Sequence, residues 1–161
     1  MRVGCPREIK TNEHRVGLTP AAVREYVAHG HAVVMETGAG LGGGFSDADY
    51  VKAGARIAPD ARTVFAGSDM IVKVKELQPT EFSLLNDGHI LFTYLHLAPD
   101  PEQTKVLLAS GCAAVAYETV TDRNGGLPLL APMSEVAGRI AVFSAAETLL
   151  KHKGGIGLLF C

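Results

Sequence analysis

The chain has 161 residues, 47 % of them hydrophobic and 20 % charged, with a formal net charge of −2. That length fits one core and about one domain, and the near-neutral balance gives neither nucleic acid nor an anionic membrane an electrostatic hold. A mean hydropathy of +0.17 points to a well-buried α/β domain rather than a disordered chain.

No segment approaches the roughly 20 apolar residues of a membrane span, and the amino terminus lacks a basic stretch followed by a signal-type apolar run. The expectation is a soluble, cytoplasmic protein. The three cysteines, Cys5, Cys112 and Cys161, form no Cys-x-x-Cys pair, and the six histidines lack metal-ligand spacing. Neither a disulfide framework nor a metal site is indicated.

Strand and helix signals alternate along the chain, the pattern of a parallel sheet with crossover helices. Residues 1–5 read as a strand. Thr19 and Pro20 supply an N-cap and a first-turn proline for a helix over 21–29, which Gly30 ends. A strand at 31–36 follows, with His29 and His31 flanking the glycine in capping or solvated roles. The pattern then predicts a short helix over 47–53 capped by Ser46, a weak strand near 56–57 and a short helix over 60–66. A buried strand at 70–74, a helix over 79–86 and a strand at 89–93 come next. A helix over 101–110 stopped by Gly111 and a short strand at 113–116 close the series. The longest helical pattern runs from Ser134, as N-cap, to about Lys151, with Gly154 and Gly155 at its end. The apolar run 156–161 reads equally as a connector onward or as an edge strand of the same domain.

In an open parallel sheet, the carboxyl ends of the strands border the ligand crevice. Lys75 ends the run MIVKVKE (70–76), His96 follows the apolar strand at 89–93, and Arg15 lies in the loop after the first strand. An anion-binding site with a proton-transfer group is the expectation, since imidazole titrates near neutrality. Lys73 alternates with Val72 and Val74 and is expected at the rim; for Lys75 the structural alternative is neutralisation by Glu76.

The run GAGLGG (38–43) matches the G-x-G-x-x-G spacing after a strand. In the dinucleotide fingerprint the last glycine opens the crossover helix, which aims its amides at a pyrophosphate. Here Gly44, Phe45 and Ser46 intervene, so a flexible glycine-rich loop is the better reading.

Four segments, TNEHRVGLTP (11–20), KVKE (73–76), FTYLHLA (92–98) and LPLLAPMSEVAGR (127–139), resemble in order and register the amino-terminal part of the NAD-dependent L-alanine dehydrogenases. The nucleotide-binding part of proton-translocating transhydrogenase is the nearest related family. It shares the opening around Asn12, Glu13, Arg15 and Val16, and does not keep the segment around His96 in this form. The resemblance implies a three-layer α/β fold with a mainly parallel sheet, a flavodoxin-like substrate-binding domain, with the Rossmann NAD domain missing. Residues 1–133 would form that domain, and 134–161 a connecting helix and a truncated entry to the NAD-binding domain.

It further implies that Arg15 and Lys75 hold the carboxylate and carbonyl oxygens of pyruvate, or the matching atoms of L-alanine, and that His96 and Lys75 are the catalytic pair. Tyr94 and Met133 would line the substrate side and Ser134 the cofactor side, with NAD as cofactor. Core packing for Tyr94 and Met133, and helix capping for Ser134, are the structural roles that sit beside these. A truncated chain inactive alone is the expectation, with a non-catalytic binding or assembly domain, or a transhydrogenase-related fragment, as the alternatives. Homo-oligomerisation is left open.

Overall fold

The computed structural model describes residues 1–158. Strands β1 (Arg2–Cys5), β2 (Ala32–Glu36), β3 (Arg56–Ala58), β4 (Met70–Val72), β5 (Ile90–Thr93) and β6 (Ala113–Ala116) form a six-stranded sheet in the order β3-β2-β1-β4-β5-β6. Every neighbouring pair is parallel. The crossovers are α1 (Pro20–Ala28), α2 (Asp47–Lys52), α3 (Ala61–Ala66), a 3-10 turn at Pro79–Leu84, and α4 (Pro101–Ser110). The chain winds outward from β1 through β2 and β3, then returns to build the other half from β4. The direction reverses between β1 and β4, the switch point at which doubly wound sheets open a crevice.

Strand alternation divides the apolar residues between two faces. Val3, Cys5, Val33, Met35 and Val72 share one core with Leu18, Val23 of α1 and Tyr50 of α2. Ile71 and Leu91 share the other with Phe65 of α3, Leu107 of α4, Leu77 and Leu95. This is the three-layer arrangement. Gly4 lets α3 approach β1 closely, because a Cβ there would collide with Ser68 and lie 2.8 Å from Val64.

Local signals set most boundaries. Thr19 caps α1 by accepting from Ala22 N, and Ser46 and Asp49 form a reciprocal capping box on α2. Gly111 ends α4 in the left-handed conformation, φ 71°. Two expected elements differ. The strand at 70–74 stops at Val72, and the helix over 79–86 is a 3-10 turn ending at Leu84.

The chain divides into two compact units, Met1–Tyr117 and Glu118–Cys161. In the second, Asp122 Oδ1 accepts from Asn124 N at 2.7 Å and Gly126 N at 2.9 Å to close a turn. Helix α5 spans Ala131–Leu149, followed by a 3-10 turn at Lys151–Lys153. Ser134 is therefore not the N-cap. The helix starts three residues earlier because Pro132 fits its first turn without a lost hydrogen bond, and the Ser134 hydroxyl turns back to Leu130 O at 3.4 Å. Residues 156–158 form no strand, and the remainder of that apolar run, with Cys161, lies outside the described residues. No helix among the described residues is long and apolar enough to cross a membrane.

Candidate functional site

Arg15 projects from the loop between β1 and α1, where Glu13 holds it. The backbone N of Arg15 donates to Glu13 Oε1 at 2.9 Å, Nε to the same oxygen at 2.8 Å, and Nη2 to Oε2 at 2.6 Å. This two-point grip depresses the Glu13 carboxyl to about 2, against the opposing effect of burial. The Arg15 side chain remains 48 % exposed, whereas that of Glu13 is only 7 % exposed. Beyond Glu13, the guanidinium is influenced by Tyr94 and Glu8, and Glu13 in turn by Lys75. A loop residue, a strand-end lysine and the tyrosine beyond β5 thus share one electrostatic neighbourhood.

Lys75 follows β4 and is half-buried. Its amide donates to Glu8 Oε1 at 3.2 Å, and its carbonyl accepts from the Thr93 hydroxyl at 2.9 Å. Glu76, the partner in the structural alternative, is ion-paired with Lys10, and against the effect of burial the charge of Lys75 also helps to lower the Glu76 carboxyl pKa. The neighbouring lysine departs further from expectation. Lys73 is not at the rim but fully buried, its ammonium 2.8 Å from Glu81 Oε1 and 3.3 Å from Glu8 Oε2. Burial works against that ammonium, yet the fields of Glu81 and Glu8 outweigh it and hold its pKa above the ordinary lysine value. A strand with both faces covered leaves a lysine no path to water, so it must take its anions inside.

His96 lies three residues past β5 with φ 48°, a left-handed backbone uncommon outside glycine. Its ring stacks on that of Tyr94, with centroids 6.3 Å apart and planes inclined by 24°. Tyr117 packs edge-on against both Tyr94 at 5.0 Å and Phe92 at 4.3 Å, which sets the Tyr94 ring. The peptide before His96 is fixed by Gln103, a fully buried residue of α4 whose Nε2 donates to Leu95 O at 2.8 Å.

Arg15, Lys75, Tyr94 and His96 therefore all follow the carboxyl ends of β1, β4 and β5, beside the switch point. A cavity of about 160 Å³ opens between the segment after β1 and the glycine loop after β2, walled by Glu8, Glu13, Arg15, Ala39 and Gly42 among others; of the four residues it includes Arg15 alone. Met133 and Ser134 belong to the second unit, on the first turn of α5, with Met133 39 % exposed. Glu8 and Gln103 lie outside the four segments that carry the family resemblance, whereas Glu13 and Thr93 lie within two of them, at 11–20 and 92–98, without a role assigned there. Only Glu13, two positions before Arg15, lies near enough in the chain to have been paired with it by reading.

The glycine loop uses four of its six amides within the protein. Gly38 N donates to Asp47 Oδ1 at 2.9 Å, Ala39 N to Glu36 O, Leu41 N to Gly38 O, and Gly43 N to Gly40 O. Asp47 and Asp49 in the first turn of α2 place negative charge where a pyrophosphate would sit. Gly42 instead packs on the loop that carries Arg15: a Cβ there would lie 2.5 Å from His14 O. Among the described residues, no cluster of three or more His, Cys, Asp or Glu side chains could hold a metal ion.

The fold is a doubly wound α/β domain that carries cationic and imidazole groups at its switch-point edge. Residues 4–137 match the family model described as alanine dehydrogenase/PNT, N-terminal domain, and the chain belongs to that family. It is 52 % identical over 159 residues to an alanine dehydrogenase of Halomonas elongata, covering 99 % of this chain and 43 % of that protein. It is 50 % identical over 159 residues to that of Bacillus subtilis, covering 99 % of this chain and 42 % of the relative. Among solved structures, an L-alanine dehydrogenase aligns over 98 % of this chain and 44 % of its own, with a TM-score of 0.89 and 49 % identity. A transhydrogenase from Sinorhizobium meliloti aligns over 76 % of this chain and 36 % of its own, with a TM-score of 0.71 and 29 % identity. The chain thus spans less than half the length of the relatives it matches.

Proposed function

We propose that this chain is the substrate-binding part of an L-alanine dehydrogenase, an oxidoreductase that converts L-alanine to pyruvate and ammonia with NAD as hydride acceptor. The observation that carries the reading is the gathering of a guanidinium, an ammonium and an imidazole at the carboxyl ends of β1, β4 and β5 in a chain of this family. Greater similarity to the alanine dehydrogenase structure than to the transhydrogenase supports it over the related alternative.

In this reading Arg15 clamps the substrate carboxylate through two hydrogen bonds, and Lys75, a compact charge, polarises the carbonyl oxygen of pyruvate. His96 delivers or removes the proton at that oxygen as the carbon changes between carbonyl and amine substitution. Tyr94 orients the imidazole by stacking and lines the substrate; Met133 would serve the substrate side and Ser134 the cofactor side, as the family resemblance implies. The glycine loop, with four of its six amides bonded within the protein and Asp47 and Asp49 at the start of the following helix, does not fit a pyrophosphate, so residues 1–133 serve the substrate and 134–161 lead toward the NAD-binding part.

Pyruvate titrated into isotope-labelled protein tests this by NMR. The His96 and Arg15 side-chain resonances should shift saturably in the wild type and much less in Lys75→Ala. A folded wild type without a saturable response overturns the reading and favours an assembly role.

A further inference from the structure

We propose that Glu8 is a positioning residue for Lys75: its buried carboxylate takes the place of a sheet partner where β4 outruns β1, and so fixes the peptide that carries the ammonium. The effect on pyruvate rests on the substrate-binding reading of Lys75, whereas the effect on the Lys75 peptide does not.

β1 pairs with β4 only at Val3 with Met70 and Gly4 with Ile71. Pro6 then follows Cys5, and a proline has no N–H to continue a ladder. On its other side the extension of β4 stays attached to β5, with Lys73 N donating to Phe92 O at 3.1 Å and Tyr94 N to Val74 O at 3.4 Å. On the β1 side the amides of Val74 and Lys75 both turn to Glu8 Oε1, at 2.6 and 3.2 Å. Successive amides of a regular strand point to opposite sides, so two on one oxygen require the backbone to bend around the carboxylate. This is the reason the strand ends at Val72 and not at Val74.

The Glu8 side chain is 2 % exposed, and Lys73, also ion-paired with Glu81, supplies its counter-charge. Burial nonetheless raises the Glu8 carboxyl pKa, more than Lys73 and the two amides lower it. A buried carboxylate is a costly way to end a strand, but its Oε1 is a strong acceptor for both amides at the place where the sheet opens. With Thr93 on the Lys75 carbonyl, the peptide is held from both neighbouring strands.

The 161-residue chain is compared as wild type, Glu8→Gln and Glu8→Ala by amide NMR and pyruvate titration. A short bond to a carboxylate should place the Val74 amide proton well downfield, with an upfield move in Glu8→Gln and a larger one in Glu8→Ala. The Lys75 amide and Cε resonances should shift in Glu8→Ala while those of β2 and β3 stay in place. Pyruvate affinity should fall roughly tenfold in Glu8→Ala, the scale of a lost charge-assisted bond, and recover for the most part in Glu8→Gln.

A folded Glu8→Ala with wild-type Lys75 resonances overturns the proposal, as does an affinity loss without displacement of the Val74 and Lys75 amides. Should Glu8→Ala not fold, an unmoved Val74 amide in Glu8→Gln overturns it. Absence of any pyruvate response in the wild type removes the substrate reading, and the amide readout then decides the positioning claim alone.

Discussion

Thr93 donates its hydroxyl to the carbonyl of Lys75 at 2.9 Å, tying the strand that leads to His96 to the peptide that carries the ammonium. Thr93 is fully buried, so this bond is shielded from competition by water. The segments that carry Lys75 and His96 are therefore joined through Thr93, and Gln103 in turn fixes the peptide before His96.

Replacing Thr93 by Val keeps the shape and removes the donor. The stranded Lys75 carbonyl should cost about 1–3 kcal/mol, read as a lower denaturation midpoint with an unchanged slope. Thr93→Ser, which retains the hydroxyl, should leave the Lys75 amide resonance near its wild-type position while Thr93→Val displaces it.

His96 holds a left-handed backbone that glycine adopts without steric penalty. His96→Gly should therefore melt no lower than the wild type, with a gain of up to about 1 kcal/mol, while losing the response of the edge to pyruvate. Destabilisation in thermal melts would mean that stacking on Tyr94 outweighs the strain.

Glu13 sets the pH dependence of the Arg15 loop. Its folded pKa of about 2 lies below the ordinary 4.5, so its contribution to stability is present above about 4.5 and disappears as pH falls toward 2. The stability difference between wild type and Glu13→Gln, followed by denaturation from pH 7 to 3, should shrink below about pH 4.5. Glu8 has the opposite sign. Its raised folded pKa makes its contribution greatest below the unfolded value and diminishing as pH rises through the folded one.

Two adjacent glycines should behave differently. At Gly43 an added Cβ would meet the Phe45 ring at 3.4 Å and Val16 at 4.0 Å, both ordinary contacts, so Gly43→Ala should be nearly neutral. At Gly42 it meets the His14 carbonyl, so Gly42→Ala should cost about 1–3 kcal/mol and displace the Arg15 resonances. Micromolar NAD binding abolished by Gly43→Ala in calorimetry would contradict the structural reading of this loop.

The features legible in the sequence were those written locally. Thr19 before Pro20, Ser46 before α2 and Gly111 after α4 act within a few residues of themselves, and each boundary lies where that chemistry puts it. Alternation of apolar runs with caps likewise gave the parallel sheet, and with it the shared edge for Arg15, Lys75 and His96. The end of β4 was not legible, because its acceptor, Glu8, lies 66 positions away from Val74. Of the two anions that let Lys73 be buried, Glu8 is as remote, and Glu81, 8 positions on, reaches it from the 3-10 turn and not from the strand, so alternation alone placed Lys73 at the rim. Ser134 was misread as a cap because serine is a favoured cap, whereas Pro132 starts the helix earlier.

Cys5 occupies the last position of β1, fully buried, and burial pushes its thiol pKa up to about 12. A thiol reagent attacks the thiolate, so Cys5 should stay silent until β1 leaves the sheet, while half-buried Cys112 serves as the internal comparison. Any small anion that bridges the β1 and β4 ends should slow Cys5 labelling in proportion to its occupancy. The first strand thus carries a clock of its own openings, one that can time ligand residence without a reporter group or an assay of turnover.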